Sequence, residues 1–379
     1  DKNKSEMVQN LNISEKNISV SNDSYVMIKE EKIGVIAGFT LIFDKKFQDI
    51  LNSSYQKIIK DQISPHMTLN VKNFIAAPDE SLNLKPSFDE KGCFSKLYIS
   101  WGDANVASLS KGDDILRPKI EIIKDENLVS DNQNKEIFEK IYNWFENNYL
   151  NKINLSSSFN KFDQTAEERG FVFKLKENQF IFYQINILDE FKLIDESKRK
   201  EIHAMNFRLG KNVIFNTELI RPEFMKIKFY LWNIYYDENL VLDSYIPKDG
   251  NATLSIENKL NENLVSFLGF INQNNLLIRI DIFNEFEKQL FKRENRGPFS
   301  LPVDLSNLLG IKKEKLIEIL KERTYLVQEI EENDLLISKK ITVKKPTSKK
   351  LNKPSEKKNN KEKKSLRKKL FNNPFDQLK

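Results

Sequence analysis

The run from Pro222 to Tyr236, PEFMKIKFYLWNIYY, tolerates only one kind of surroundings. At 100° per residue Glu223, Lys226 and Asn233 fall within one narrow arc, while Phe224, Met225, Ile227, Phe229, Leu231, Trp232 and Ile234 cover nearly everything else. A helix that is apolar on almost every side must lie inside a domain, with other segments wrapped round it. Pro222 sets its start, because a fixed φ and a missing N–H suit the first helical position. Lys228 lies off the polar arc, so its stem is expected along apolar neighbours with the ammonium reaching water. Just upstream, Val213, Ile214 and Phe215 suit a short strand. Arg208, Lys211 and Arg221 stand at the loop edges of this stretch, where a cation is either solvated or meets a ligand.

The remaining 379-residue chain divides by pattern. Residues 1–30 lack periodicity and read as a flexible leader; the chain begins with Asp rather than Met, as expected of a fragment or processed product. Residues 31–125 read as a small, strongly bent β domain with an inserted helix, either open or closed into a barrel. Within it, alternation from Ile33 to Phe43 predicts a strand bent at glycine, and a helix is expected from Lys45 to Lys60. Gly102 to Asn105 predicts a hairpin turn between Tyr98–Trp101 and Val106–Leu109. From Ile115 to Ile123, Pro118, Ile120 and Ile122 alternate with Arg117, Lys119 and Glu121, giving one buried and one charged face.

Residues 131–296 read as a mainly helical domain with a few strands. The spacing of Phe138, Ile141, Tyr142, Phe145 and Tyr149 predicts a helix over Lys135–Leu150 with that stripe buried. Gly170 to Leu175 fits strand alternation as well as a helix, and Ser197–Asn206 is expected to be helical. Residues 297–338 form a helix pair, Leu305–Leu309 and Leu316–Leu320, broken at Gly310. Lys312, Lys313, Lys315, Lys321 and Arg323 decorate it as they would a helix-turn-helix reader, but Glu314, Glu318 and Glu322 cancel much of the charge.

Residues 339–379 carry 16 Lys/Arg against 3 acids, a net +13, which leaves −7 on the first 338 residues of a chain whose total is +6. This segment cannot bury enough apolar surface to fold and is expected to be a disordered polycation that attracts phosphate backbones. Its candidate contacts are Lys344, Lys345, Lys349, Lys350, Lys357, Lys358, Arg367, Lys368 and Lys369. In the folded part the candidates are Arg117, Lys119, Arg208, Lys211 and Arg221.

One cysteine, Cys93, excludes an internal disulfide and a thiolate cluster, and fits a reducing cytoplasm. His66 and His203 stand in unrelated contexts without a spaced metal partner. No catalytic constellation, Gly-rich phosphate loop or apolar run of membrane-spanning length is present. The composition therefore points to a binding role, not to chemistry or membrane insertion.

Taken in order, Ile33-Gly34-Val35 with Gly38-Phe39, Trp101-Gly102 with Val106-Ala107, Gly112 to Pro118, Arg169-Gly170, Phe207 to Gly210, Arg221-Pro222, Leu231-Trp232 and Gly297 to Phe299 resemble a known pattern. It is that of the C-terminal half of bacterial helicase-related proteins, relatives of the mitochondrial degradosome RNA helicase of superfamily 2. The resemblance implies a helix at Arg169–Leu175 and an RNA path completed by this region. It places ATP and Mg on a helicase core that this sequence lacks, so no cofactor is expected in this chain. The expected architecture is α+β. The expected function is RNA binding, or DNA binding, as an accessory region of an ATP-dependent helicase whose own core is a partner. The competing expectation is a scaffold that docks a nuclease or a ribosomal partner.

Overall fold

The computed structural model describes residues 17–48, 51–162, 165–248, 251–257, 259–331 and 334–339. The chain is α+β, with its first compact unit ending at Lys339, the last residue of a strand. The lysine-rich segment that follows lies outside the described residues.

Two four-stranded antiparallel meanders open the chain. The first is β1 (Ile18–Val20), β2 (Tyr25–Ile28), β3 (Glu31–Ala37) and β4 (Thr40–Phe43); the second is β5 (Leu82–Phe88), β6 (Phe94–Trp101), β7 (Ala104–Asp114) and β8 (Arg117–Ile122). Among the described residues they are two separate sheets and not one barrel, and a parallel bridge between Phe39 and Lys124 links them. The alternation from Ile33 to Phe43 is thus a hairpin and not one bent strand, with the chain reversing at Gly38. A single turn, Lys45–Gln48, precedes α1 (Ser53–Ala76), which outruns the expected end at Lys60. Asn52 caps it by accepting from the Tyr55 amide. The helix continues through Pro65 because Ile59, Ile63, Met67, Val71 and Phe74 keep one buried stripe on both sides of the proline.

The expected hairpin at Gly102 is present between β6 and β7. In the second sheet Leu97, Ile99, Ala107 and Leu109 face inward, while Lys85, Lys96, Tyr98 and Lys119 share the outer face. α2 (Asp131–Phe145) starts at a reciprocal cap between Ser130 and Gln133. Its buried stripe is Ile137, Ile141, Trp144 and Phe145, so the expected stripe was rotated: Phe138 and Tyr142 are each 40% exposed and stack on one another. Two aromatics four residues apart satisfy each other on the surface without a core beneath them.

Beyond α2 the chain repeats one plan. First come α3 (Ala166–Glu177), β9 (Ile181–Tyr183), α4 (Ile187–Lys192), α5 (Glu196–Ala204), β10 (Phe207–Leu209) and β11 (Val213–Asn216). Next come α6 (Pro222–Tyr236), β12 (Thr253–Ser255), α7 (Glu262–Leu268), β13 (Phe270–Gln273) and β14 (Leu276–Arg279). Last come α8 (Ile280–Glu294), β15 (Phe299–Ser300), α9 (Val303–Leu309), α10 (Lys313–Glu322), β16 (Tyr325–Glu331) and β17 (Asp334–Lys339). In each repeat the three strands form an antiparallel sheet with the last strand in the middle: β10-β11-β9, β12-β14-β13 and β15-β17-β16. The first and third repeats are a helix, a strand, a helix pair and a hairpin; the second has one helix where the others have the pair. The ambiguous stretch from Gly170 to Leu175 is helical, as the resemblance implied.

α6 is the spar between the two halves. Tyr230 stacks on Phe94 of the second sheet at 5.2 Å, and Trp232 meets Phe267 of α7 at 5.6 Å. Two of its polar residues depart from expectation. Asn233 is buried, but its side chain donates to the Phe229 carbonyl and accepts from the Leu240 amide, so it ties the helix to the loop that follows. Lys228 does not reach water: it is 1% exposed, and its ammonium donates to the Phe267 carbonyl at 2.5 Å. The spar is enclosed on the side where the stem would have to emerge. Burial alone pushes this amine down from 10.5 to about 7.

The sign of the pH effect follows. Between about pH 7 and 10.5 the unfolded chain holds a proton on Lys228 that the folded chain has released. Stability therefore rises with pH through this window, by up to about 1.4 kcal/mol per unit. Urea midpoints at pH 7, 8 and 9 should climb in the wild type, and Lys228→Met should remove that part of the slope.

Candidate nucleic-acid interface

In the first and third repeats the helix pair is closed by a three-residue turn, Leu193-Ile194-Asp195 between α4 and α5 and Gly310-Ile311-Lys312 between α9 and α10. That turn length, and the left-handed Gly310 at one of them, is the local geometry of a helix-turn-helix, here followed by a β hairpin. Asp195 caps α5 by accepting from both the amide and the hydroxyl of Ser197, which holds its carboxyl below the usual range. The second helices carry mixed charge on their exposed sides. Lys200 pairs with Glu196 at 2.8 Å on α5, and Lys315 with Glu318 at 3.0 Å on α10, while Lys312, Lys313 and Lys321 stay exposed.

The two hairpins differ more sharply. The tip between β10 and β11 is Gly210-Lys211-Asn212 with Arg208 on the strand before it, whereas the β16–β17 hairpin carries Glu329 and Glu331. Arg208 and Lys211 are exposed. The Arg208 guanidinium donates to the Phe207 carbonyl at 3.0 Å, and the Lys211 ammonium lies 5.0 Å from the centre of the Phe291 ring. Among the described residues neither forms an ion pair.

This hairpin docks on α8 of the third repeat and leaves a cleft of about 1080 Å³ beside it. Asn212 donates to both carboxylate oxygens of Glu287 at 3.3 Å, and Arg323 pairs with the same carboxylate. Arg323 also lies over the Phe283 ring at 5.3 Å. Across the cleft Glu294 is engaged by Lys339 and by the Tyr325 hydroxyl, whose ionisation burial and the Glu294 charge push up to about 12. Tyr183 also lines the wall, its hydroxyl raised by burial and then by Glu287.

Of the residues singled out in the sequence, the structure brings Arg208 and Lys211 together at this cleft. Arg117 and Lys119 stand apart on β8, and Arg221, at the residue preceding α6, makes no capping hydrogen bond and pairs with Glu218 at 2.8 Å. Lys344, Lys345, Lys349, Lys350, Lys357, Lys358, Arg367, Lys368 and Lys369 lie outside the described residues. Arg323, noted in the sequence only as a decoration of the helix pair, and Tyr183, Asn212, Asn284 and Phe291, which were not singled out, complete the cleft. They come from four elements, and only the Lys211-Asn212 dipeptide hinted at them. His203 donates to or accepts from nothing catalytic: its ring packs edge-on against Phe191, with Nδ1 at 3.3 Å from the Phe207 carbonyl. Among the described residues there is no group of three His, Cys, Asp or Glu able to hold a metal ion, and no helix is long and apolar enough to cross a membrane.

No family model, no curated protein and no solved structure matches the chain.

The approach of the hairpin to α8 depends on Gly210, where an added Cβ would stand 1.8 Å from the Asn284 side-chain oxygen and 2.9 Å from Val213 Cγ2. Gly210→Ala should therefore push the Asn284 side chain aside and lower stability by about 1 kcal/mol. Pairing it with Asn284→Ala should recover most of that loss, as read from thermal midpoints of the two variants.

Proposed function

We propose that this chain binds nucleic acid, with the first repeat contacting the backbone through its hairpin and the lysine-rich segment after Lys339 adding unspecific attraction. The observation that carries this reading is the placing of Arg208 and Lys211, free of carboxylate partners among the described residues, on a hairpin that follows a helix pair with a three-residue turn. Free cations on a rigid hairpin meet phosphates without first breaking an ion pair. The net +13 of residues 339–379 would raise encounter rate through charge, whatever the sequence bound. Beside the resemblance to helicase-related proteins, the role is that of an accessory region that holds RNA, or DNA, for an ATP-dependent motor. ATP and Mg would then belong to the motor core and not to this chain.

A scaffold that docks a nuclease or a ribosomal partner is the second reading. It is favoured by the surface-stacked pair Phe138 and Tyr142 on α2 and by the −7 balance of the first 338 residues.

The two readings separate in a salt series. Labelled single-stranded RNA should bind residues 1–379 with a steep salt slope and residues 1–339 with a shallower but nonzero one. Arg208→Ala with Lys211→Ala in the shorter protein should reduce that slope by about 1.4, two phosphate contacts at roughly 0.7 each. Loss of all binding on removing residues 340–379 would favour the scaffold.

A further inference from the structure

We infer that the cleft between the β10–β11 hairpin and α8 takes a single-stranded nucleotide, with its phosphate on Arg208 and Lys211 and its base on the rings of Tyr183 and Phe291. This deepens the nucleic-acid reading above and rests on it.

The charges of the cleft leave one place for an anion. Glu287 is held by Arg323 and Asn212, Glu294 by Lys339 and Tyr325, and Asp189 by Lys192 at 3.2 Å. Lys288 lies 3.4 Å from Glu285. What remains in the lining is the Glu322 carboxylate and the cations Arg208 and Lys211. A guanidinium whose hydrogen bond goes to its own strand, beside an ammonium resting on a ring, offers a fork and a point charge to one phosphate.

The aromatics point to the rest of the ligand. Tyr183 is 42% and Phe291 46% exposed, although both line a concave wall where apolar rings are ordinarily covered. Tyr183 is braced edge-on against buried Phe283 at 5.9 Å, so its outward face is fixed in place. A base can stack on such a ring whatever its identity. The Asn284 amide, also in the wall, has both a donor and an acceptor for a base edge, whereas Gln273 donates to the Asn272 carbonyl and accepts from Arg323. The volume of about 1080 Å³ lies just above the roughly 300–1000 Å³ that encloses a small ligand, which suits one or two nucleotides and not a duplex. The same chemistry is offered by a free mononucleotide and by one residue of a strand.

The test uses the full chain and a ten-nucleotide single-stranded RNA with 2-aminopurine at its centre, the same RNA in a duplex, and AMP as competitor. Stacking on the protein should quench the probe in the single strand. Tyr183→Leu with Phe291→Leu should abolish the quench and weaken single-strand binding about tenfold, leaving duplex binding unchanged. Both side chains are half exposed, so the fold should survive, as thermal melts will verify. Release of the RNA by AMP would show that the cleft accepts the free nucleotide, and resistance to AMP that it takes the nucleotide from a strand; either supports the inference. Quenching and affinity within twofold of wild type in the double variant would overturn it while the broader nucleic-acid reading stands. Failure of the unaltered chain to bind either RNA would overturn both.

Discussion

Everything after residue 80 leans on the enclosure of α6. An all-round apolar helix must be covered on every side, and here β6, β7 and β8 cover one side and α7 another. Closing the α7 side traps Lys228, whose ammonium is left with the Phe267 carbonyl in place of water. Enclosing this amine strips its hydration and drives off its proton above about pH 7, a cost that the surrounding apolar contacts must outweigh to keep the closed arrangement. The bond to Phe267 also fixes α7 against α6 through a carbonyl near the end of α7, the part of that helix that leads into β13.

Legibility followed periodicity. Pro222 at the start of α6, the hairpin at Gly102 and the helix pair around Gly310 were all written in local residue patterns, and each stands where the pattern put it. Lys228, Asn233 and the α2 stripe were not. Their burial is decided by which segment lies opposite, and a sequence does not state that. Residues Phe138 and Tyr142 show the limit plainly, because Ile137 and Trp144 offer an equally apolar stripe one position round the helix. The cleft was half visible: Arg208 and Lys211 drew notice as loop cations, but the aromatics and amides opposite them belong to strands and helices up to about a hundred residues away in sequence.

The threefold plan escaped the sequence for a related reason. What the repeats share is an order of elements and a strand arrangement, not residues, so Gly310 has no glycine counterpart in the turn at Leu193-Ile194-Asp195. Their surfaces differ, with unpaired cations among the described residues at one hairpin and an exposed Glu329 at another. The same strand arrangement thus serves packing in all three, while the exposed tips carry different charges.

The position of each repeat's final strand has a bearing on how the chain is made. Because β17 lies between β15 and β16, the third sheet has no continuous ladder until synthesis has passed Lys339. The buried Ile337 side chain arrives only then, and until that moment β15 and β16 are two separate edges. During translation the first two repeats can close in turn, but the last is completed in one step by its closing residues.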